Sequence, residues 1–130
     1  MLSDSDIYTL LGEQGFADLV HAFYARVPND PVLGPMYQRS MDQTGETLAM
    51  GEAKLRDFLI QRFGGPGRYS EQRGHPKLRM RHGRFVIDAA AAEHWLALME
   101  QAMTEANIPE EARVVLRPYF HTTAHHMVNR

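Results

Sequence analysis

An all-α fold is predicted for this chain of 130 residues, and three observations predict it. Apolar residues recur at spacings of three and four, the period that lines side chains along one face of a helix. No segment shows the strict apolar–polar alternation of a half-buried strand. Proline and glycine clusters punctuate the periodic segments. Counting those segments gives about five to seven helices, in one domain spanning residues 1–130.

Phe16, Leu19, Val20, Phe23, Tyr24 and Val27 form the first stripe. Pro28 and Pro31 end it, because proline has no amide to donate and restricts the residue before it. Val32 to Tyr37 reads as a short helical turn, and Gln38 to Glu46, polar apart from Met41, as a loop. From Thr47 to Phe63 the positions Leu48, Leu55, Phe58, Leu59 and Phe63 are again helical in period, and Gly64-Gly65-Pro66-Gly67 stops them. Pro76 suits the first turn of a short basic helix that carries His82. Asp88 is placed to cap a long helix with Trp95, Met99, Ala102, Met103 and Ala106. Asn107-Ile108-Pro109 interrupts the pattern. A last helix carries Ala112, Val115, Leu116, Tyr119 and Met127, with Pro118 placed to kink it.

Composition sets outer bounds. Apolar residues make up 44%, and a chain of this length buries roughly two thirds of its unfolded surface. No apolar run is long enough to span a bilayer, and the amino end lacks a basic segment leading into an apolar one. With no cysteine, disulfides, iron–sulfur ligation and thioether-linked haem are excluded, and a reducing cytoplasm is the expected setting. A formal net charge of −2 speaks against a general nucleic-acid binder.

Two histidine groups are candidates for chemistry. His121 and His125 have the i, i+4 spacing that chelates zinc from one helix, but a third protein ligand is normal and no acidic or cysteine cluster is near in sequence. Such a pair is more often simply solvated. His82 has more around it. Arg68, Arg73, Lys77, Arg79, Arg81 and Arg84 surround it against the single acid Glu71, and an apolar patch and the chain's one tryptophan follow. Taken alone, the cluster reads best as a solvated basic face. It also fits phosphate contact with nucleic acid, although interleaved exposed aromatics are missing. A third reading is a site for a flat, apolar, doubly anionic cofactor held through one imidazole, as haem would be. Tyr24, Tyr37 and Trp95 each carry a donor on an otherwise apolar face, and a buried donor needs a partner. Together they could line a pocket for a polar diatomic ligand.

The run from Gly64 to His82, followed by Phe85, Ile87 and Trp95, closely resembles the group II truncated haemoglobins. Phe23-Tyr24-Ala25-Arg26-Val27 and Leu33-Gly34-Pro35-Met36-Tyr37 match as well, so the resemblance covers essentially the whole chain. It implies a shortened globin, two helices stacked on two, around b-type haem. It implies His82 as proximal iron ligand and Tyr24, Tyr37 and Trp95 as distal hydrogen-bonding residues. Leu55, Phe58 and Leu59 fall over the distal haem face. Tyr69, His75, Arg79, Phe85 and Ile87 match positions at the haem edge and proximal side, and Lys54 sits where a propionate could be met. The segment between Tyr37 and Leu55 is longer than the family pattern, and the usual distal gate falls on Gly51, which has no side chain.

Two activities follow from the resemblance. One is reversible binding of dioxygen, nitric oxide or carbon monoxide at a five-coordinate iron. The other is a haem-dependent redox activity, nitric oxide dioxygenation or peroxidase-like chemistry, which needs a separate reductase. Donors from Tyr37 and Trp95 would stabilise a ligand with partial negative charge by about 1.5–3 kcal/mol each. Two would slow its release on the order of a hundredfold or more, which suits retention better than oxygen transport. Neither nucleic acid nor membrane is an expected partner.

Overall fold

A computed structural model describes residues 2–74 and 87–129. Among them the order is α1 (Asp4–Arg26), a 3-10 turn (Val27–Asn29), α2 (Leu33–Thr44), α3 (Leu48–Arg62), α4 (Arg68–Arg73), α5 (Ala89–Glu105) and α6 (Glu110–His126). The described residues include no strand. α1 packs with α3, α5 with α6, and α1 joins the pairs by lying against both α5 and α6. This is the two-on-two globin arrangement.

Local chemistry sets the helix ends. The Ser3 backbone amide donates to the Asp6 carboxylate at 2.8 Å. Thr47 accepts from the Met50 amide at 3.2 Å, and Asp88 from the Ala91 amide at 2.9 Å. Each occupies one of the donors a helix start leaves unpaired. Helix α1 is broken at Gly12, whose φ of 68° and ψ of −179° suit glycine far better than any residue with a Cβ. After α3, Gly64 turns the chain at φ 102°, where an added Cβ would lie 2.5 Å from the Ser5 carbonyl oxygen. The chain therefore closes tightly onto the start of α1, and the Tyr8 amide donates to the Phe63 carbonyl at 3.0 Å.

The stripes read from the sequence form the core. Phe16, Leu19, Val20 and Phe23 of α1 are fully buried against Leu59 and Ile60 of α3 and Phe63 just after it. Met99, Ala102 and Met103 of α5 and Leu116 of α6 close the other side. Burying each large side chain stabilises the fold by about 1.5–3 kcal/mol. Helix α6 continues through Pro118. The Val114 carbonyl, which proline leaves without its amide partner, belongs to a residue that is half exposed, where water can serve.

One segment departs from expectation. Residues 38–44, read as a loop, continue α2 as far as Thr44, and Gly45 ends the helix at φ 75°. The Gln38 side-chain amide donates to the Asp42 carboxylate at 3.1 Å across one helical turn, and the Gly45 backbone amide donates to the Met41 carbonyl at 2.8 Å. The face of this helix formed by Met36, Tyr37, Ser40, Met41 and Thr44 borders a cavity rather than the core. It lacks the continuous apolar stripe that would have marked it as a helix.

Candidate functional site

The cavity has a volume of about 640 Å³, within the range of roughly 300–1,000 Å³ typical of small-molecule and cofactor sites. All six helices and the segments at Ile87 and Met127 contribute to its walls. The helical period explains the recruitment: Leu48, Gly51, Leu55 and Phe58 recur on one face of α3, and Tyr119, Phe120 and Thr123 on one face of α6. Tyr24, Tyr37, Lys54, Leu55, Phe58, Leu59, Tyr69, Ile87 and Trp95 all border this one space. His75, Arg79, His82 and Phe85 lie outside the described residues.

The polar end is built by three rings from three helices. Tyr24 and Tyr37 meet edge to face with ring centres 5.9 Å apart. Trp95 reaches the group from α5, its ring 5.4 Å from Phe23, the neighbour of Tyr24. Burial pushes the Tyr37 phenol up to about 12, opposed by hydrogen bonds that its oxygen accepts from the Trp95 indole and the Tyr24 hydroxyl. Burial also pushes Tyr24 far above its ordinary value. Both phenols therefore stay protonated at any physiological pH. A phenol that accepts from Trp95 and Tyr24 still has its own proton to donate, and Tyr37 borders the cavity.

Gly51 makes this arrangement possible by its size. A Cβ there would come within 3.0 Å of the Tyr24 hydroxyl and 3.3 Å of its ring. The space left by the missing side chain is thus used by Tyr24. A second device holds α2 against α5. Asp30 accepts from the Leu33 and Val32 amides at 2.7 and 3.0 Å, capping α2, and His94 Nδ1 meets both of its oxygens at 3.1 Å. Burial raises the Asp30 carboxyl, but those amides and His94 outweigh it and hold the group below its ordinary value. The contact ties α5, which carries Trp95, to the start of α2, which carries Tyr37.

The remaining wall is apolar with two cations. Tyr69 is buried and meets Phe58 edge to face at 5.4 Å. Arg73 crosses the Tyr69 ring at 5.5 Å and lies 3.4 Å from the buried Asp57 carboxylate of α3. Gln61 and Ser70 exchange bonds of 2.7 and 2.9 Å, fixing α4 to α3. Lys54, nearly half exposed, pairs with Glu46 at 2.5 Å beside the cavity. The backbone of Ile87 is held by a reciprocal pair of 2.8 Å bonds with Asn129.

These features fit haem. Flat apolar walls from Leu55, Phe58, Leu59 and Ile87 suit a porphyrin, Lys54 and Arg73 suit its carboxylates, and the phenol and indole donors suit a polar ligand. The sequence pattern of bacterial-like globins matches residues 6–129. The chain belongs to the bacterial-like globin family. Within it, a group 2 truncated hemoglobin of Bacillus subtilis (strain 168) is 37% identical over 123 residues, covering 95% of this chain and 88% of the relative. The crystal structure of the hemoglobin of Chloroflexus aurantiacus is 44% identical with a TM-score of 0.84, over 95% of this chain and 98% of that one. That of a truncated oxygen-avid haemoglobin from Bacillus subtilis has a TM-score of 0.82 at 37% identity, over 95% and 98% of the two chains. This globin is therefore a group II truncated haemoglobin in fold and sequence, and haem iron is the cofactor that membership implies.

Several contributors to this globin's pocket escaped the sequence reading. Arg73 was counted only within a basic cluster, Tyr119 only within the stripe of the last helix, and Asp57 and Glu46 carried no signal of their own. Asp30 carried one, a capping residue three positions before Leu33 within Pro-Asn-Asp-Pro. No helix among the described residues is long and apolar enough to cross a membrane.

Proposed function

We propose that this globin reversibly binds dioxygen, and other diatomic gases such as nitric oxide and carbon monoxide, at a five-coordinate b-type haem held by His82, in a cytoplasmic setting. Haem iron supplies the open coordination position at which such a ligand binds. The chain supplies the rest. Tyr24, Tyr37 and Trp95 converge on one end of the cavity, with Tyr24 and Tyr37 edge to face, and this is the observation that carries the reading; the Tyr37 hydroxyl is the donor assigned to the bound ligand. Trp95 and Tyr24 act through Tyr37 by donating to its oxygen, and the His94–Asp30 contact keeps α2 and α5 in register. Leu55, Phe58 and Leu59 exclude water, which strengthens every hydrogen bond made inside. Lys54, Tyr69, Arg73, Arg79 and His75 are assigned to the haem edge, and Phe85 and Ile87 to the proximal side.

A redox reading, nitric oxide dioxygenation or peroxidase-like turnover with a separate reductase, draws support from one observation. A series of aromatic rings leads from the cavity wall at Tyr119 to the surface at Tyr8. The test of the primary reading is spectroscopic. The purified protein should show an intense Soret band that shifts with carbon monoxide, and His82→Ala should lose haem or need added imidazole to keep it. A wild-type ferrous spectrum in His82→Ala would overturn the assignment.

A further inference from the structure

Ligand binding accounts for the rings that face the cavity but not for the series that leaves it. Tyr119 borders the cavity and sits edge-on to the fully buried Phe63, ring centres 5.1 Å apart. Phe63 reaches Tyr8 in two ways. Its carbonyl accepts the Tyr8 amide at 3.0 Å, and its ring stacks on Phe16 at 6.3 Å, which stacks on Tyr8 at 6.4 Å. Core packing explains Phe16 and Phe63. It does not explain the end of the series, where the Tyr8 hydroxyl donates to the Glu13 carboxylate at 2.7 Å and Arg68 grips the same carboxylate.

The two tyrosines differ in what they can do with a proton. A phenol that loses an electron becomes a strong acid, so a stable phenoxyl radical forms where a base stands ready. The Tyr119 oxygen is served by Thr123 and Arg62, both donating to it. Tyr8 faces a carboxylate. Of the two, Tyr8 is the one whose hydroxyl already donates to a group that can take its proton. Glu13 and Arg68 are about half and one third exposed, so the site is open to small solutes.

We propose that Tyr8 is a one-electron donor site that draws oxidising equivalents out of the cavity through Tyr119 and Phe63, with its proton passing to Glu13. The proposal rests on the haem reading above and takes a hydroperoxide as the oxidant. In each step one electron leaves Tyr8 for the oxidised group in the cavity, leaving a Tyr8 phenoxyl radical and a protonated Glu13. A small reductant of the ascorbate type then returns one electron, and Glu13 returns the proton. Two such steps restore the two electrons that cleavage of one hydroperoxide O–O bond takes from that group, and two protons from solvent complete an alcohol, or water from hydrogen peroxide, and one further water.

The experiment mixes the ferric, haem-loaded protein with one equivalent of hydrogen peroxide, without reductant. Radicals are located by freeze-quench electron paramagnetic resonance and by mass spectrometry of spin-trap adducts. The Soret band and dioxygen binding are recorded first for every variant, so a failure of the haem reading is seen apart from a failure of the route. The wild type should carry its adduct on Tyr8. Tyr8→Phe, outside the cavity, should leave dioxygen binding unchanged, move the adduct to cavity residues and bleach the Soret band several-fold faster. Glu13→Gln should lower the Tyr8 adduct yield several-fold with the phenol still present, and Tyr119→Phe should do the same. Absence of a Tyr8 adduct in the wild type, or full adduct yield in both Glu13→Gln and Tyr119→Phe, would overturn the proposal.

Discussion

Tyr37 and Tyr8 carry the same phenol in opposite surroundings. At Tyr37 the oxygen receives bonds from Trp95 and Tyr24 within a buried group of rings, and burial pushes the phenol up to about 12. At Tyr8 the hydroxyl gives its hydrogen bond to Glu13 at the surface, and that bond is what raises the phenol above its ordinary value. The first arrangement keeps the phenol protonated at the cavity wall. The second offers the proton somewhere to go. The difference teaches that the chemistry of a tyrosine in this globin is set by whether its neighbours give or take hydrogen bonds.

The largest test of the contrast concerns the packing beneath Tyr8. Phe63 is fully buried between Phe16 and Tyr119, so Phe63→Ala should destabilise the protein by about 3–5 kcal/mol. Denaturant unfolding measures it. A loss under about 1 kcal/mol would mean that this ring column contributes little to the core.

An alkaline limb tests the burial of Tyr37. Its folded value, about 12, lies above the ordinary value of 10.0, so the unfolded chain gives up its proton first. Through that window the folded state holds more protons than the unfolded one, and stability falls as pH rises. Below the lower value the contribution is intact, and above the upper one the loss levels off. The slope is at most roughly 1.4 kcal/mol per pH unit for one group, on the order of 2–3 kcal/mol across the window. Tyr24, which burial also raises, adds a limb of its own, so Tyr37→Phe should make the alkaline slope shallower by up to one proton in pH-resolved unfolding rather than abolish it.

Ligand release tests the donor group itself. Trp95→Phe removes the indole donor and keeps most of the ring volume. Loss of the indole bond to Tyr37, an ordinary hydrogen bond worth about 0.5–1.5 kcal/mol, should accelerate dioxygen dissociation in stopped flow several-fold. An unchanged rate would separate Trp95 from the ligand-holding group, while Tyr8→Phe serves as the silent control.

The smallest effect is at Gly51. Alanine in place of a helical glycine normally gains up to about 1 kcal/mol. Here the methyl meets the Tyr24 hydroxyl at 3.0 Å, so the gain should be cancelled and the dioxygen dissociation rate should rise a few-fold. A full stabilisation with unchanged release would show that Tyr24 does not depend on the space at Gly51.

Legibility along the chain follows the same division between core and cavity. Helices α1, α3, α5 and α6 could be read because their stripes meet other apolar stripes: Phe16, Leu19 and Phe23 announce a helix without reference to anything distant. The second half of α2 could not, because Ser40 and Thr44 face the cavity and need not be apolar. Tyr24, Tyr37 and Trp95 stood out as donors on apolar faces, and family likeness supplied the roles of Lys54, Leu55, Phe58, Leu59, Tyr69 and Ile87. Arg73 was hidden in a run of like charges, and only its place between Tyr69 and Asp57 distinguishes it.

By itself the sequence determined the all-α class, the core helices and the Asp88 cap, since periodicity and capping act within a few residues of each other. Tertiary structure alone decided which donor faces which acceptor. Residues 24, 37 and 95 meet because three helices cross, His94 finds Asp30 across 64 positions, and Arg68 finds Glu13 across 55. Side chains so far apart in the chain have no fixed spacing to read. Their distances are set by how the helices pack, and whether a phenol hydrogen bond points into the cavity or out to a carboxylate is settled only there.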